Sequence, residues 1–176
     1  SHSIEYALES NKIKKVIVST DDPEISKISE CFGAEIIKRP AKFCTDTAST
    51  ESAIEHYINT ANKKPDIIVL LQATSPIRPA GSLDKALNHF QKGGFDSLLS
   101  ICPTHRFYWR IKDDHTTYAE YNYLNRLRRQ DMKIENMRYV ENGSIYIFIV
   151  SLSETSRLFV DNETEFSIGD SLSFED

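Results

Sequence analysis

Asp66-Ile67-Ile68-Val69-Leu70-Leu71 is the stretch on which the fold turns. After its first residue the run is continuously apolar, yet it is too short for a buried helix. It therefore suits a central parallel strand covered on both faces. A polar turn, Gln72-Ala73-Thr74-Ser75-Pro76-Ile77-Arg78, follows at once. Leu83, Ala86, Leu87 and Phe90 then recur at helical spacing, and Ser97 to Ile101 is the next β-rich run. One strand, one helix and a second strand make a βαβ unit, whose crossover is right-handed.

The same alternation runs upstream. Ile4, Ala7 and Leu8 carry helical spacing that ends near Asn11, and Lys14 to Ser19 is a short strand with a basic flank. Asp22-Pro23 marks a helix start, a capping carboxylate followed by proline at the first helical position. Ile25, Ile28 and Phe32 supply that helix's apolar stripe, and Gly33 stops it. Ala34 to Lys38 is a strand, Arg39 to Asp46 a loop, and Ile54, Tyr57, Ile58 and Ala61 mark another amphipathic helix. The expected fold is α/β, a doubly wound and mainly parallel sheet in one domain spanning 1–176.

Downstream the pattern breaks. From Pro103 to Met137 the chain is rich in Tyr, Arg, Asp and His without a clear period, and Trp109 to Asn122 reads as a hairpin or arm leaving the sheet. We take 103–136 as a projecting arm. β-rich sequence returns at Ser144-Ile145-Tyr146-Ile147-Phe148-Ile149-Val150, and Asp161 to Asp176 is polar and acidic.

Composition narrows the functional classes. The 176 residues are 40% hydrophobic and 27% charged, which suits a globular domain, and the net charge of -5 gives no footprint for nucleic acid. Cys31, Cys44 and Cys102 show no CxxC or Cys/His ligand spacing, which predicts reduced thiols and a cytoplasmic location. No stretch approaches the roughly 18 apolar residues of a membrane span. Ser1-His2-Ser3-Ile4-Glu5-Tyr6-Ala7-Leu8 reads as a helix already under way and not as a signal peptide, so the domain's first element is expected ahead of Ser1.

In open parallel sheets ligands gather outside the carboxyl ends of the strands. The segments expected there are Ser19-Thr20-Asp21-Asp22, Lys38-Arg39-Pro40 leading to Thr45 through Thr50, Gln72 through Arg78, and Cys102 through Arg106. Together they offer arginines, hydroxyls and an amide. Plainer roles compete for several of them. Asp22 is better read as a helix cap, the hydroxyls at 45–50 suit a helix entry, and Arg126, Arg128 and Arg129 suit a solvated charge run. The sequons Asn142-Gly143-Ser144 and Asn162-Glu163-Thr164 are taken as chance matches.

In order along the chain, Val16-Ile17-Val18-Ser19-Thr20-Asp21-Asp22, Arg39-Pro40, Thr45-Asp46-Thr47-Ala48-Ser49-Thr50, Leu70-Leu71-Gln72-Ala73-Thr74-Ser75-Pro76-Ile77-Arg78, Arg129-Gln130-Asp131 and Glu141-Asn142-Gly143-Ser144-Ile145-Tyr146 resemble the acylneuraminate cytidylyltransferases, or CMP-sialic acid synthetases. The resemblance covers about Ile4 to Phe148. The related CMP-Kdo synthetases carry a different loop where Thr45 to Ser49 stands. The resemblance implies that the anomeric hydroxyl of an acidic nine-carbon 2-keto sugar attacks the α-phosphate of CTP, and that pyrophosphate leaves with Mg²⁺ assistance. It implies nucleotide contacts at Arg39, Ser49, Thr50 and Gln72, and sugar contacts at Gln72, Arg129, Asn142 and Tyr146. Their chemistry agrees: guanidiniums for phosphate or carboxylate, hydroxyls and amides for hydrogen bonds.

The family's late Ser-Ile-Asp-Ile-Asp metal motif has a partial counterpart in Ser167-Ile168-Gly169-Asp170, which makes Asp170 the candidate catalytic Mg²⁺ ligand beside a catalytic Arg129. The preceding stretch, Ser151 to Glu165, is shorter than the family's. Its glycine- and lysine-containing phosphate loop has no counterpart in the sequence and is expected ahead of Ser1. The arm at 103–136 resembles the family's dimerisation element, so a homodimer is expected. Two other readings stay open: a nucleotidyltransferase for another sugar or base, and an inactive sugar- or nucleotide-binding module.

Overall fold

The computed structural model describes residues 1–112, 115–134, 137–150 and 164–168. Its helices are α1 (His2–Leu8), α2 (Pro23–Cys31), α3 (Thr50–Thr60) and α4 (Ser82–Gly93). Its strands are β1 (Ile17–Thr20), β2 (Glu35–Lys38), β3 (Ile67–Leu70), β4 (Ser97–Thr104), β5 (Trp109–Ile111), β6 (Thr117–Ala119), β7 (Arg138–Ile149) and β8 (Thr164–Ile168). The chain divides into one unit of Ser1–Ser100 with Gly143–Ser167 and a second of Ile101–Asn142 with Ile168–Asp176.

In the first unit β1 and β2 pair in parallel, with Ile17 opposite Glu35 and Thr20 opposite Lys38. A four-stranded sheet has the order β3-β7-β4-β8. Here the expectation of a mainly parallel sheet is corrected, because β7 runs antiparallel to β3, with Leu70 opposite Tyr146 and Ile67 opposite Ile149. β7 is antiparallel to β4 as well: Ile149 N donates to Asp96 O at 3.1 Å, while Ile145 N donates to Ser100 Oγ at 2.9 Å. The sheet is mixed. β3 ends its sheet, where a central position was expected.

The other half of the β3 reading holds. Ile67, Val69 and Leu71 pack toward one cluster, built on Tyr6 of α1, Leu83, Ala86, Leu87 and Phe90 of α4, and Leu98, Ile145 and Ile147 of the sheet. Ile68 and Leu70 pack toward the other, built on Ile54 and Ile58 of α3 with Phe148. Alternate residues of one apolar run thus feed two layers, since successive strand side chains point to opposite faces. Helices cover both faces of the sheet.

Local signals explain the helix ends. Asp22 Oδ1 accepts from the N–H groups of Glu24 and Ile25, both at 2.8 Å, with Pro23 at the first helical position. The stripe expected to bury α2 does not do so: Ile25, Ile28 and Phe32 are exposed, and Ser29 is its buried residue. α2 packs on β1 and β2, and its contact there runs through Ser29, at the edge of the stripe, with the larger apolar side chains left at the surface. α4 behaves as expected, and Leu83, at 2% exposure, is among the most deeply buried side chains.

The second unit contains the hairpin read from Trp109 to Asn122: β5 pairs antiparallel with β6, Trp109 opposite Ala119 and Ile111 opposite Thr117. Glu120 follows it and bonds to both Arg110 and Arg138, while Arg138 Nη2 also donates to Glu120 O at 3.0 Å. Phe107 and Trp109 pack their rings on Tyr121, and the Arg126 guanidinium lies 4.2 Å from the Phe107 ring centre. The three cysteines are free thiols. Among the described residues no helix is long and apolar enough to cross a membrane.

Candidate functional site

β3 delivers Gln72 just beyond its last residue, and the β3–β7 register carries on toward Ser144 and Gly143. Gly143 adopts φ +66°, a conformation that costs an L-residue roughly 1–2 kcal/mol. A Cβ there would lie 2.7 Å from Gln72 Oε1 and 3.3 Å from Ser75 Oγ. The carboxamide of Gln72 therefore lies directly against the bare face of Gly143. Beneath the turn sits Arg78, a buried residue that the sequence reading did not single out as a site residue. Its Nη2 donates to Gln72 O at 2.9 Å and to Ser144 O at 3.1 Å, its Nε to Ser144 O at 3.2 Å, and its Nη1 to Ser3 Oγ at 2.9 Å. Tyr6 of α1 presents its ring to the same guanidinium at 5.5 Å. Burial pulls the Arg78 pKa below the usual arginine value. No carboxylate meets it among the described residues.

Arg39 stands at the end of β2 and is held by the end of β1. Its Nε donates to Ser19 Oγ at 3.1 Å, its Nη2 donates to Ser19 O, and its N–H donates to Thr20 O at 2.9 Å. The guanidinium is thereby fixed at the carboxyl end of a parallel pair, where ligands gather in such sheets. Cys44 accompanies this corner, where burial and the neighbouring Asp21 carboxylate push its thiol pKa up. Ser49 caps α3, its Oγ accepting from Ser52 N at 3.2 Å, and Thr50 opens the helix in an exposed position. The helix-entry role weighed for these hydroxyls is thus filled by Ser49.

Tyr146 is buried opposite Leu70 and, by strand alternation, shares the α3-facing side of β7 with Phe148. In the second unit Arg129 opens a 3-10 turn, Arg129–Asp131, and is exposed. Its neighbour Arg128 donates from Nε and Nη2 to the two carboxylate oxygens of Asp131, at 2.5 and 3.2 Å. Asn142 is half-buried on β7, immediately before Gly143. Asp170 lies outside the described residues, as does the second sequon at Asn162. Among the described residues no group of three His, Cys, Asp or Glu stands together as a metal site. The structure therefore brings Gln72 together with Gly143, Ser75 and Arg78, and fixes Arg39 on Ser19. Arg129 and Asn142 belong to the second unit.

The chain has recognisable relatives. N-acylneuraminate cytidylyltransferase A of Danio rerio is 33% identical over 159 residues, covering 88% of this chain and 36% of that protein. The N-acylneuraminate cytidylyltransferase of Escherichia coli is 27% identical over 184 residues, covering 99% of this chain and 44% of that protein. The chain thus spans less than half the length of these two relatives. Among solved structures, CMP:2-keto-3-deoxy-manno-octonic acid synthetase complexed with CTP shares the fold, with a TM-score of 0.62 over 96% of this chain and 78% of that one, at 16% identity. The family described as cytidylyltransferase matches residues 1–166, and this chain belongs to it.

Proposed function

We propose that this chain carries the transfer chemistry of an enzyme that joins CMP to an acidic nine-carbon 2-keto sugar of the acylneuraminate kind. The anomeric oxygen of the sugar forms a bond to the α-phosphorus of CTP, the bond from that phosphorus to the bridging oxygen breaks, and pyrophosphate leaves with the displaced electron pair. The hydroxyl proton passes to solvent or to a base. Such transfers depend on positioning and on stabilising charge more than on covalent help from the protein. The observation that carries the reading is the Gln72 carboxamide, held against Gly143 at the end of β3 by a turn whose backbone Arg78 clamps.

Arg39, Ser49 and Thr50 are the proposed nucleotide contacts. Gln72, Asn142, Tyr146 and Arg129 are the proposed sugar contacts, with Arg129 on the carboxylate. Mg²⁺ is the proposed ion for the triphosphate and Asp170 its proposed ligand; magnesium characteristically takes one or two carboxylates together with phosphate oxygens and water. We further propose that the hairpin unit forms a contact between two copies of the chain. The deciding experiment measures pyrophosphate release from CTP and Mg²⁺ against a panel of nonulosonic acids, using the full-length protein. Release that requires CTP and one of these sugars is expected. Release with another nucleotide or an eight-carbon acid alone would move the assignment to a different nucleotidyltransferase, and tight binding of CTP without turnover would favour a binding module.

A further inference from the structure

We infer that Arg78 and Gly143 are positioning residues that together set the direction of the Gln72 carboxamide. The inference rests on the reading of Gln72 as a substrate contact.

Two independent constraints meet at Gln72. Its main chain is fixed from below, because the Arg78 guanidinium reaches Gln72 O and Ser144 O at once and ties β3's exit to β7. The planar fork spans two carbonyls that a lysine ammonium would meet only as a point charge. Ser3 Oγ and the Tyr6 ring hold the far side of the guanidinium, so α1 braces the clamp. The side chain is fixed from the side, because Gly143 leaves room for Oε1 at a distance where any Cβ would collide. What that Cβ would meet first is the end of a flexible side chain, so an added methyl displaces the carboxamide in addition to straining the β7 backbone at φ +66°. Neither residue needs to touch substrate: Arg78 is buried and Gly143 has no side chain.

The test reads the position of Gln72 and its consequence separately. In ¹H–¹⁵N spectra the side-chain amide pair of Gln72, assigned by its loss in Gln72→Ala, is expected away from the random-coil position. Arg78→Lys and Gly143→Ala are each expected to return it toward that position. In kinetics, both variants are expected to raise by threefold or more the same Michaelis constant that Gln72→Ala raises. Neither is expected to add to it in the Gln72→Ala background, because residues acting through one group are not additive. A Gln72 amide unmoved in either variant overturns the inference, and so does additivity in the double variants. A loss of kcat alone that tracks the folded fraction also overturns it, since it marks a structural role. If Arg78→Lys does not fold, the amide shift and kinetic cycle of Gly143→Ala decide alone. A displaced amide in variants whose kinetics match wild type, with Gln72→Ala also wild type, upholds the positioning and removes Gln72 from the substrate site.

Discussion

Arg128 and Arg129 are neighbours in sequence, yet their guanidiniums keep different company. Arg128 is engaged by both oxygens of Asp131, whereas Arg129 is exposed and makes no side-chain bond among the described residues. That distinction was not legible in Arg-Arg-Gln-Asp, where either arginine could serve, because the spacing of an arginine to its acid is settled by the 3-10 turn. It favours Arg129 as the group that holds a carboxylate. Arg129→Lys should raise KM for the sugar by an order of magnitude or more, a loss of about 1.4 kcal/mol or more, while KM for CTP changes little. Steady-state kinetics in both substrates check this. Equal damage to both constants would assign Arg129 to the fold, and unchanged constants would make it a solvated charge. Asp22 is the opposite case, readable because its cap is local: the carboxylate meets N–H groups two and three residues ahead. Arg78 was missed for the complementary reason. A buried arginine satisfied by carbonyls from distant turns leaves no acid at a telling spacing.

Among the elements, periodicity told which faces are apolar and could not tell what covers them. The α4 stripe of Leu83, Ala86, Leu87 and Phe90 is buried to the last residue, while the equally regular stripe of α2 is exposed. Likewise the apolar run at Ile67–Leu70 reported two covered faces correctly and was silent on direction, because burial is the same beside a parallel or an antiparallel neighbour. β8 escaped notice within a polar tail. Leu83→Ala should therefore cost about 2–5 kcal/mol of stability, read from denaturant unfolding. A cost below 1 kcal/mol would mean that the α4 layer collapses around the gap. The hairpin makes a pH-dependent prediction. Bonds from Arg110 and then Arg138 hold the Glu120 carboxyl below its ordinary value. A depressed carboxylate stabilises the folded unit above its unfolded pKa, and that contribution is lost as pH falls through the folded value. Trp109 fluorescence should report loosening of the hairpin on acidification below the usual carboxylate range, and Glu120→Gln should already be loosened at neutral pH. Identical acid titrations for both proteins would remove Glu120 as the holding point.

The molecule as a whole carries a net charge of -5, yet its proposed substrates are both anions. The proposed Mg²⁺ would offset part of that charge, so EDTA should abolish turnover and added Mg²⁺ restore it; activity indifferent to chelation would remove the ion from the scheme. The surface of the second unit poses a different question. Trp109 is 55% exposed, Ile111 74%, Leu124 84% and Ile134 69%, with Tyr118, Tyr123 and Leu127 exposed as well. Scattered apolar side chains are ordinary on a surface, whereas so many within one small unit are what an interface would cover. Aromatic residues and arginine are enriched at interface cores, and this unit supplies both. A second copy is the partner we propose, because the same apolar side chains would then cover one another across a two-fold axis, the commonest arrangement of soluble oligomers. Light scattering at micromolar concentration should give twice the chain mass. Leu124→Glu should shift that equilibrium toward monomer, since it would bury an unpaired carboxylate against its symmetry mate. Its far-UV spectrum should not change, because Leu124 is too exposed to support the fold of one copy. A wild-type monomer at that concentration, or a Leu124→Glu dimer as tight as wild type, would leave this surface without the role assigned to it.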